Sequence, residues 1–313
     1  MTAHIRVDTH IHLYQSADIG LREKQSEIWE YGGKPARLST AAGTVDELLA
    51  QMERAAISKG IVLIYTRARE ARERAIGALP RGLDARARAE KTMEIDAAVL
   101  RELEWNNLWG CKIAADHPQL STFVAVDLSV QSAAEAERHV RTLAEDHGAR
   151  GVKLHTGLQG FSMSDERLWP LYALCEARGL SVLGHGGPDR EGNGYCVPQA
   201  FAPMLAAFPK LTVVMAHMGG ASWRETAAVA ARHPNLCLDC SEIIEWTGSP
   251  NGPTEHELAG LIRTVGYERV MMGSDFPWYD LDRTVERVMG LPLLSLSEKE
   301  AIVGANAVRL LRL

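Results

Sequence analysis

Cysteine is scarce in this sequence. Five cysteines in 313 residues, an odd number at scattered positions, argue against a disulfide framework and for reduced thiols in a cytoplasmic setting. The one CxxC, Cys237 and Cys240, has no second pair. In the apparent strand Leu236 to Cys240, a spacing of three turns the two thiols to opposite faces, so packing is expected there rather than zinc or redox chemistry. No apolar run approaches the roughly 20 residues of a membrane span. No basic stretch followed by an apolar one opens the chain, so no secretory leader is expected. Positive charge is not in excess either: the formal net charge is −6 and the pI is near 6.0. That disfavours nucleic acid and anionic membranes as partners and fits a small-molecule substrate. Finally, neither GxGxxG nor GxxxxGK occurs, so no phosphate loop marks a nucleotide crevice.

What is present is an ordinary globular balance, 46% hydrophobic and 24% charged, enough to fill a large core. One domain spanning residues 1–313 is expected, because barrels of alternating strands and helices reach this length as a unit. Short apolar strands are read at Val7–His12, Ile61–Tyr65, Thr122–Leu128, Gly151–His155, Leu180–His185, Leu211–His217, Leu236–Cys240 and Val270–Asp275. Helical stretches separate them. Thr44 with Glu47 is a capping-box signature opening a helix over Val45–Lys59, which Gly60 is expected to stop. Further helices are read over Ala133–His147, Asp165–Arg178, Pro198–Phe208, Ser222–Arg232 and Thr254–Val265, with closing helices in Leu281–Met289 and Ser297–Leu311. Two insertions stand out: a loop or lid over Asp18–Ala42 after the first strand, and an Arg-rich helical segment, Thr66–Asp116, after the second. In the latter, Arg67, Arg69, Arg72 and Arg74 are expected on a solvated helical face, the alternative being the lining of an anionic pocket. Eight strands, each returning through a helix, imply a parallel sheet. Closed on itself it is a (β/α)8 TIM barrel, with a doubly wound open sheet the other possibility.

In such a barrel the reactive groups sit at the C-terminal strand ends. The first strand carries Asp8, His10 and His12 on one face, since side chains two apart point the same way. The fourth ends in Lys153 and His155, the fifth in His185, the sixth in His217 and the eighth in Asp275. Three neutral nitrogens (His10, His12, His185) and one carboxylate oxygen (Asp275) suit a single divalent ion, Zn2+ first and Mn2+ second. Such an ion activates water, with Asp275 or His217 moving its proton. His217 is a second possible ligand. Glu242, just past the seventh strand, is a possible acid or substrate contact, and Trp278 a possible cavity wall.

The stretches DTHIH (8–12), GVKLH (151–155), AHMGG (216–220), GSDFPW (273–278) and GANAVRLL (304–311), together with His185, resemble the amidohydrolase superfamily, in its amidohydrolase-related branch. The resemblance spans the chain in order. It implies that His10, His12, His185 and Asp275 hold one catalytic zinc or manganese, that His217 acts on substrate, and that Lys153 and His155 contact substrate. A second metal on a carboxylated Lys153 is the lesser alternative. The branch also implies a possible homodimer. It contains hydrolases and lactonases as well as decarboxylases resembling aminocarboxymuconate semialdehyde decarboxylase. Because both histidines of the HxH are present, the expected reaction is hydrolysis of an amide, ester or lactone. The alternatives are decarboxylation on the same site or a metal-free lactonase; a non-catalytic binding module has no evident use for these ligands.

Overall fold

The structure, a computed structural model, describes residues 5–25, 29–33 and 37–313. Eight strands, β1 (Val7–Ile11), β2 (Lys59–Leu63), β3 (Leu120–Ala125), β4 (Gly151–Leu154), β5 (Ser181–Gly184), β6 (Val213–Met215), β7 (Leu236–Asp239) and β8 (Val270–Met271), pair in the order of the chain. Every pair is parallel, with Val62 opposite Thr122 and Val182 opposite Val213. The sheet closes between β8 and β1. Ile11 bridges Phe276, the His12 N–H donates to the Phe276 carbonyl at 2.7 Å, and the Asp275 N–H donates to the His10 carbonyl at 2.8 Å. The expected (β/α)8 barrel is therefore the observed fold, and the insertions fall after β1 and β2 as expected.

Local chemistry places the helices. Thr44 and Glu47 form the expected capping box, and Ser132 with Glu135, Thr254 with Glu257 and Ser295 with Glu298 form three more. The helix after Thr44 is shorter than expected, Val45–Ala55, and turns left-handed at Ala56. Gly60 is not its stop but a member of β2. A Cβ there would lie 2.7 Å from Ile11 Cδ1, so the glycine marks a close approach of two strands. The strands also end earlier than their apolar runs. After β6, His217 and Met218 take positive φ, and after β8 Asp275 does the same, and the His217 and Asp275 side chains turn inward.

Thr66–Asp116 resolves into helices Ala68–Gly77 and Ala85–Asp116. The loop after β1 carries a short helix, Ala17–Glu23; its residues 26–28 and 34–36 lie outside the described ones. Inside one end of the barrel a small apolar cluster gathers Val7, Ile61, Phe123, Leu183, Val214, Cys237 and Met271. Ala307 and Leu311 of the last helix, Asn306–Leu311, complete it. Cys240 belongs to the larger core outside, and all five cysteines are free and buried, consistent with a packing role for the CxxC. No helix among the described residues is long and apolar enough to cross a membrane.

Candidate active site

A cavity of about 640 Å³ opens at the C-terminal ends of the strands, and every strand end supplies part of its wall. His10 and His12 come from β1, Tyr65 from β2, Asp127 from β3, and Lys153 and His155 from β4. His185, His217, Glu242 and Asp275 follow β5 to β8 in turn. The floor is a belt of rings. His155 stacks on His185 at 3.9 Å between centroids; His185 and His217 are 4.9 Å apart, His217 and His10 4.8 Å, and His10 and His12 5.2 Å. Tyr65 and Trp278 flank its two ends. Three residues with positive φ lie on this floor, His217 (56°), Glu242 (57°) and Asp275 (62°). Non-glycine residues hold that conformation only where their surroundings enforce it, which is commonest at functional sites.

His10, His12 and Asp275 place one ligand atom each within 4.8 Å of the others. The hydrogen bonds settle which atoms. His10 Nδ1 lies 3.0 Å from Asp239 Oδ2, and His12 Nδ1 lies 3.0 Å from the Leu63 carbonyl oxygen. Both partners only accept, so both imidazoles carry hydrogen on Nδ1 and present a bare Nε2. Those Nε2 atoms are 3.4 and 3.5 Å from Asp275 Oδ1. Three acceptors facing one point repel one another unless a cation sits among them. Lys153 Nζ, 3.2 Å from His10 Nε2, supplies a positive charge nearby. Burial, opposed by Lys153, pushes the Asp275 carboxyl up, while burial pulls the His10 and His12 imidazoles and the Lys153 ammonium down. Neutral imidazoles and one carboxylate fit a divalent ion well.

His185 shares the floor but stands outside this triad. A second close group, His10, His217 and Asp239, is a hydrogen-bonded scaffold. Asp239 accepts from His10 Nδ1, from the His217 N–H at 3.0 Å and from the Ser241 hydroxyl. His217 Nδ1 is held by the Ser241 carbonyl at 3.1 Å, and burial pushes its imidazole down to about 3. Asp8 does not join its strand neighbours in the cavity; its Oδ1 ties the N–H groups of His10 (3.0 Å) and Ser274 (2.9 Å) together.

Glu242 lies at the cavity floor beside Asp275, and burial together with the Asp275 carboxyl pushes its own carboxyl well above the usual range. Trp278 packs edge-on to His12 and lines the cavity, as expected. The arginine run divides. Arg72 and Arg74, paired with Asp96 and Glu70, do not line the cavity, but Arg67 and Arg69 do, which corrects the expectation of a wholly solvated face. Arg67 pairs with Glu23 at 2.7 Å, and Arg69 with Glu73 at 2.8 Å. Sequence reasoning missed Asp239, Ser241, Glu30 and Tyr65. Asp239 ends β7 and was open to the same strand-end argument. Glu30 was not, because only the fold carries it from the β1 loop onto the Ala221 N–H, 3.0 Å away.

The sequence model of the family described as Amidohydrolase matches residues 7–313. The chain is 25% identical over 218 residues to the 2-amino-3-carboxymuconate-6-semialdehyde decarboxylase of Dictyostelium discoideum. That match takes in 59% of this chain and 60% of the relative, so it spans less than two thirds of the relative's length. The fold superposes on a 5-carboxyvanillate decarboxylase from Sphingomonas paucimobilis with a TM-score of 0.66 at 18% identity, over 99% of this chain and all of that one. It also superposes on a dihydroxybenzoic acid decarboxylase from Polaromonas with bound manganese and 2-nitroresorcinol. There the TM-score is 0.64 at 13% identity, over 99% and 97% of the two chains. At such identities these superpositions speak for the fold.

Proposed function

Because the chain belongs to the amidohydrolase family across residues 7–313, we propose that it is a metal-dependent, non-oxidative decarboxylase of a small planar carboxylic acid. This replaces the sequence-based expectation of a hydrolase. The Dictyostelium relative and both superposed enzymes are decarboxylases, which supports the alternative reading.

The observation that carries the proposal is Glu242. A hydrolase needs a base beside its nucleophilic water, whereas a decarboxylase must hand a proton to the carbon that carbon dioxide leaves. Glu242 is buried at the cavity floor beside Asp275, and burial pushes its carboxyl well above the usual range, which favours the protonated, proton-donating form there. His10, His12 and Asp275, with His185 as the fourth donor of this proposal, would hold a divalent ion. Zinc suits that donor set, and manganese, held by the Polaromonas enzyme, is the alternative. When bound, such an ion supplies an electrophile that anchors an anionic substrate and stabilises the charge left on it.

The chain's own residues do the rest. The belt of rings holds a flat substrate over the floor. Lys153, buried among the donors, favours the carboxylate end there. The bond to the carboxyl carbon breaks, its electron pair stays on the substrate carbon, and the Glu242 proton forms the new C–H bond. His217 stays neutral and hydrogen-bonds substrate, so it is not the proton donor that an imidazolium would be.

The test is turnover of hydroxylated and amino-substituted aromatic and dienoic acids by metal-loaded protein in D2O. Carbon dioxide release, with one deuterium at the vacated carbon, is the expected result. Glu242→Gln should lower kcat by about 100-fold or more without loss of metal. Hydrolysis of lactones or esters with no carbon dioxide from any acid would overturn the proposal.

A further inference from the structure

Three polar atoms on the β2 to β4 side of the cavity have no partner among the described residues. The Tyr65 hydroxyl, Asp127 Oδ2 and His155 Nδ1 are buried and make no hydrogen bond, although all three residues line the cavity; Tyr65 and His155 are the pair that an uncharged ligand group can bridge. Their rings are 5.5 Å apart, and neither residue belongs to a close donor group with His10, His12 and Asp275. A buried polar group left unpaired costs stability, so natural structures seldom keep two together unless something else completes them.

The surroundings define what that is. Arg67, whose guanidinium lies 5.9 Å from the centre of the Tyr65 ring, is already paired with Glu23 and Glu70, and Arg69, which lines the same cavity, with Glu73 and Glu191. Asp127, at the end of β3 between them, adds negative charge to this flank. A second carboxylate on the substrate would have to compete with Glu23, Glu70 and Glu73 for these arginines and would face the Asp127 carboxyl. Burial keeps the Tyr65 phenol protonated, with a hydrogen to give. His155 Nδ1 either accepts or donates according to its tautomer. One small uncharged group satisfies both atoms in either tautomer: a hydroxyl, which accepts from Tyr65 and donates to His155, or the reverse.

We propose that Tyr65 and His155 form a second subsite that selects substrates bearing a hydroxyl group on the part remote from the departing carboxylate, and rejects those bearing a second carboxylate there. This rests on the decarboxylase reading for the identity of the first carboxylate. Tyr65 acts as a specificity determinant, and its contribution is discrimination rather than bond breaking. A site built to hydrogen-bond a hydroxyl penalises the analogue that lacks it, because its own polar groups are then buried unpaired.

The experiment is equilibrium titration calorimetry of the full-length, metal-loaded protein with benzoate, 3-hydroxybenzoate, 4-hydroxybenzoate, isophthalate and terephthalate. At least one hydroxybenzoate should bind about tenfold or more tighter than benzoate, and neither dicarboxylate should bind tighter than benzoate. Tyr65→Phe should erase the hydroxyl advantage while leaving benzoate affinity and metal content unchanged. That variant keeps the ring and orphans no partner, since the hydroxyl has none, so it should fold. Equal affinity for benzoate and both hydroxybenzoates, an advantage that survives in Tyr65→Phe, a preferred dicarboxylate, or no binding by any of the five would overturn the subsite. Carbon dioxide release measured in parallel separates the two readings. Discrimination without any decarboxylation would sink the lyase and leave the subsite standing, and decarboxylation without discrimination would do the opposite.

Discussion

Asp239 shows how much of the site rests on a residue that does not line the cavity. Its carboxylate fixes the His10 tautomer, holds the His217 backbone and accepts the Ser241 hydroxyl. Partners of this kind orient a ligand and raise its basicity. Asp239→Asn should therefore weaken metal binding by roughly 10- to 100-fold in a competition titration with a chromophoric chelator, with the far-ultraviolet circular dichroism unchanged. Unaltered affinity would mean that His10 is not a ligand. Asp275→Asn removes the one anionic donor of the proposed metal site, and the expected outcome is loss of turnover in a folded protein. His10, His12 and Asp275 were legible as residues because HxH and a strand-end aspartate are local patterns. Asp239 is equally local and was passed over in favour of Glu242, three residues later. Tyr65 gave no signal, since nothing in a sequence marks a hydroxyl that will have no partner.

At the scale of elements, the helix starts were the most legible feature. A capping box is written in four consecutive residues, and its geometry needs nothing from the rest of the chain. Glu47 goes further here, accepting the N–H groups of Ala42, Gly43 and Thr44 as well as the Thr44 hydroxyl. Burial pushes the Glu47 carboxyl up, but those donors outweigh it and hold it below the usual value. The folded pKa is thus depressed, so this contribution is present above the unfolded pKa and is lost as pH falls through the folded one. Thr44→Ala should cost about 1 kcal/mol in urea unfolding at pH 7. The stability lost in Glu47→Gln at pH 7 should shrink on acidification below about pH 4, as the native carboxylate takes up its proton. A loss that grew with acid would refute the assignment. Element ends were less legible. Gly60 read as a helix stop, but the contact that requires it is with Ile11, 49 residues away in the chain.

For the whole molecule, closure joins the two ends of the sequence. The turn Ala301–Ala305 lies against the start of the chain, and a Cβ on Gly304 would sit 1.7 Å from the Ile5 carbonyl oxygen. Backbone cannot yield as a flexible side chain would, so Gly304→Ala should destabilise by about 1–3 kcal/mol or more, read as a lower urea midpoint; a neutral effect would mean that this packing is not held in solution. The proposed metal site would bind the same closure together, since His10 lies in β1, His12 follows it and Asp275 follows β8. An ion that binds only the folded chain adds about 2.7 kcal/mol at 100 times its Kd. Zinc or manganese added to chelator-treated protein should therefore raise Tm by several degrees. The double variant His10→Ala/His12→Ala should show no such rise.

The sequence by itself determined the barrel, because eight apolar strands alternating with helices have few ways to bury both faces of a parallel sheet. It also determined which residue types stand at the strand ends as candidate ligands, because HxH, the strand-end histidines and GSD are contiguous patterns. Only the tertiary structure decided which of them meet. His10, His12 and Asp275 converge because β8 closes on β1, a contact across more than 260 residues that no local pattern encodes. The upward push on the Glu242 carboxyl, the downward push on the His217 imidazole and a Tyr65 hydroxyl without a partner among the described residues were decided there too. Each depends on burial and on neighbours from other strands, and desolvation acts through space rather than along the chain.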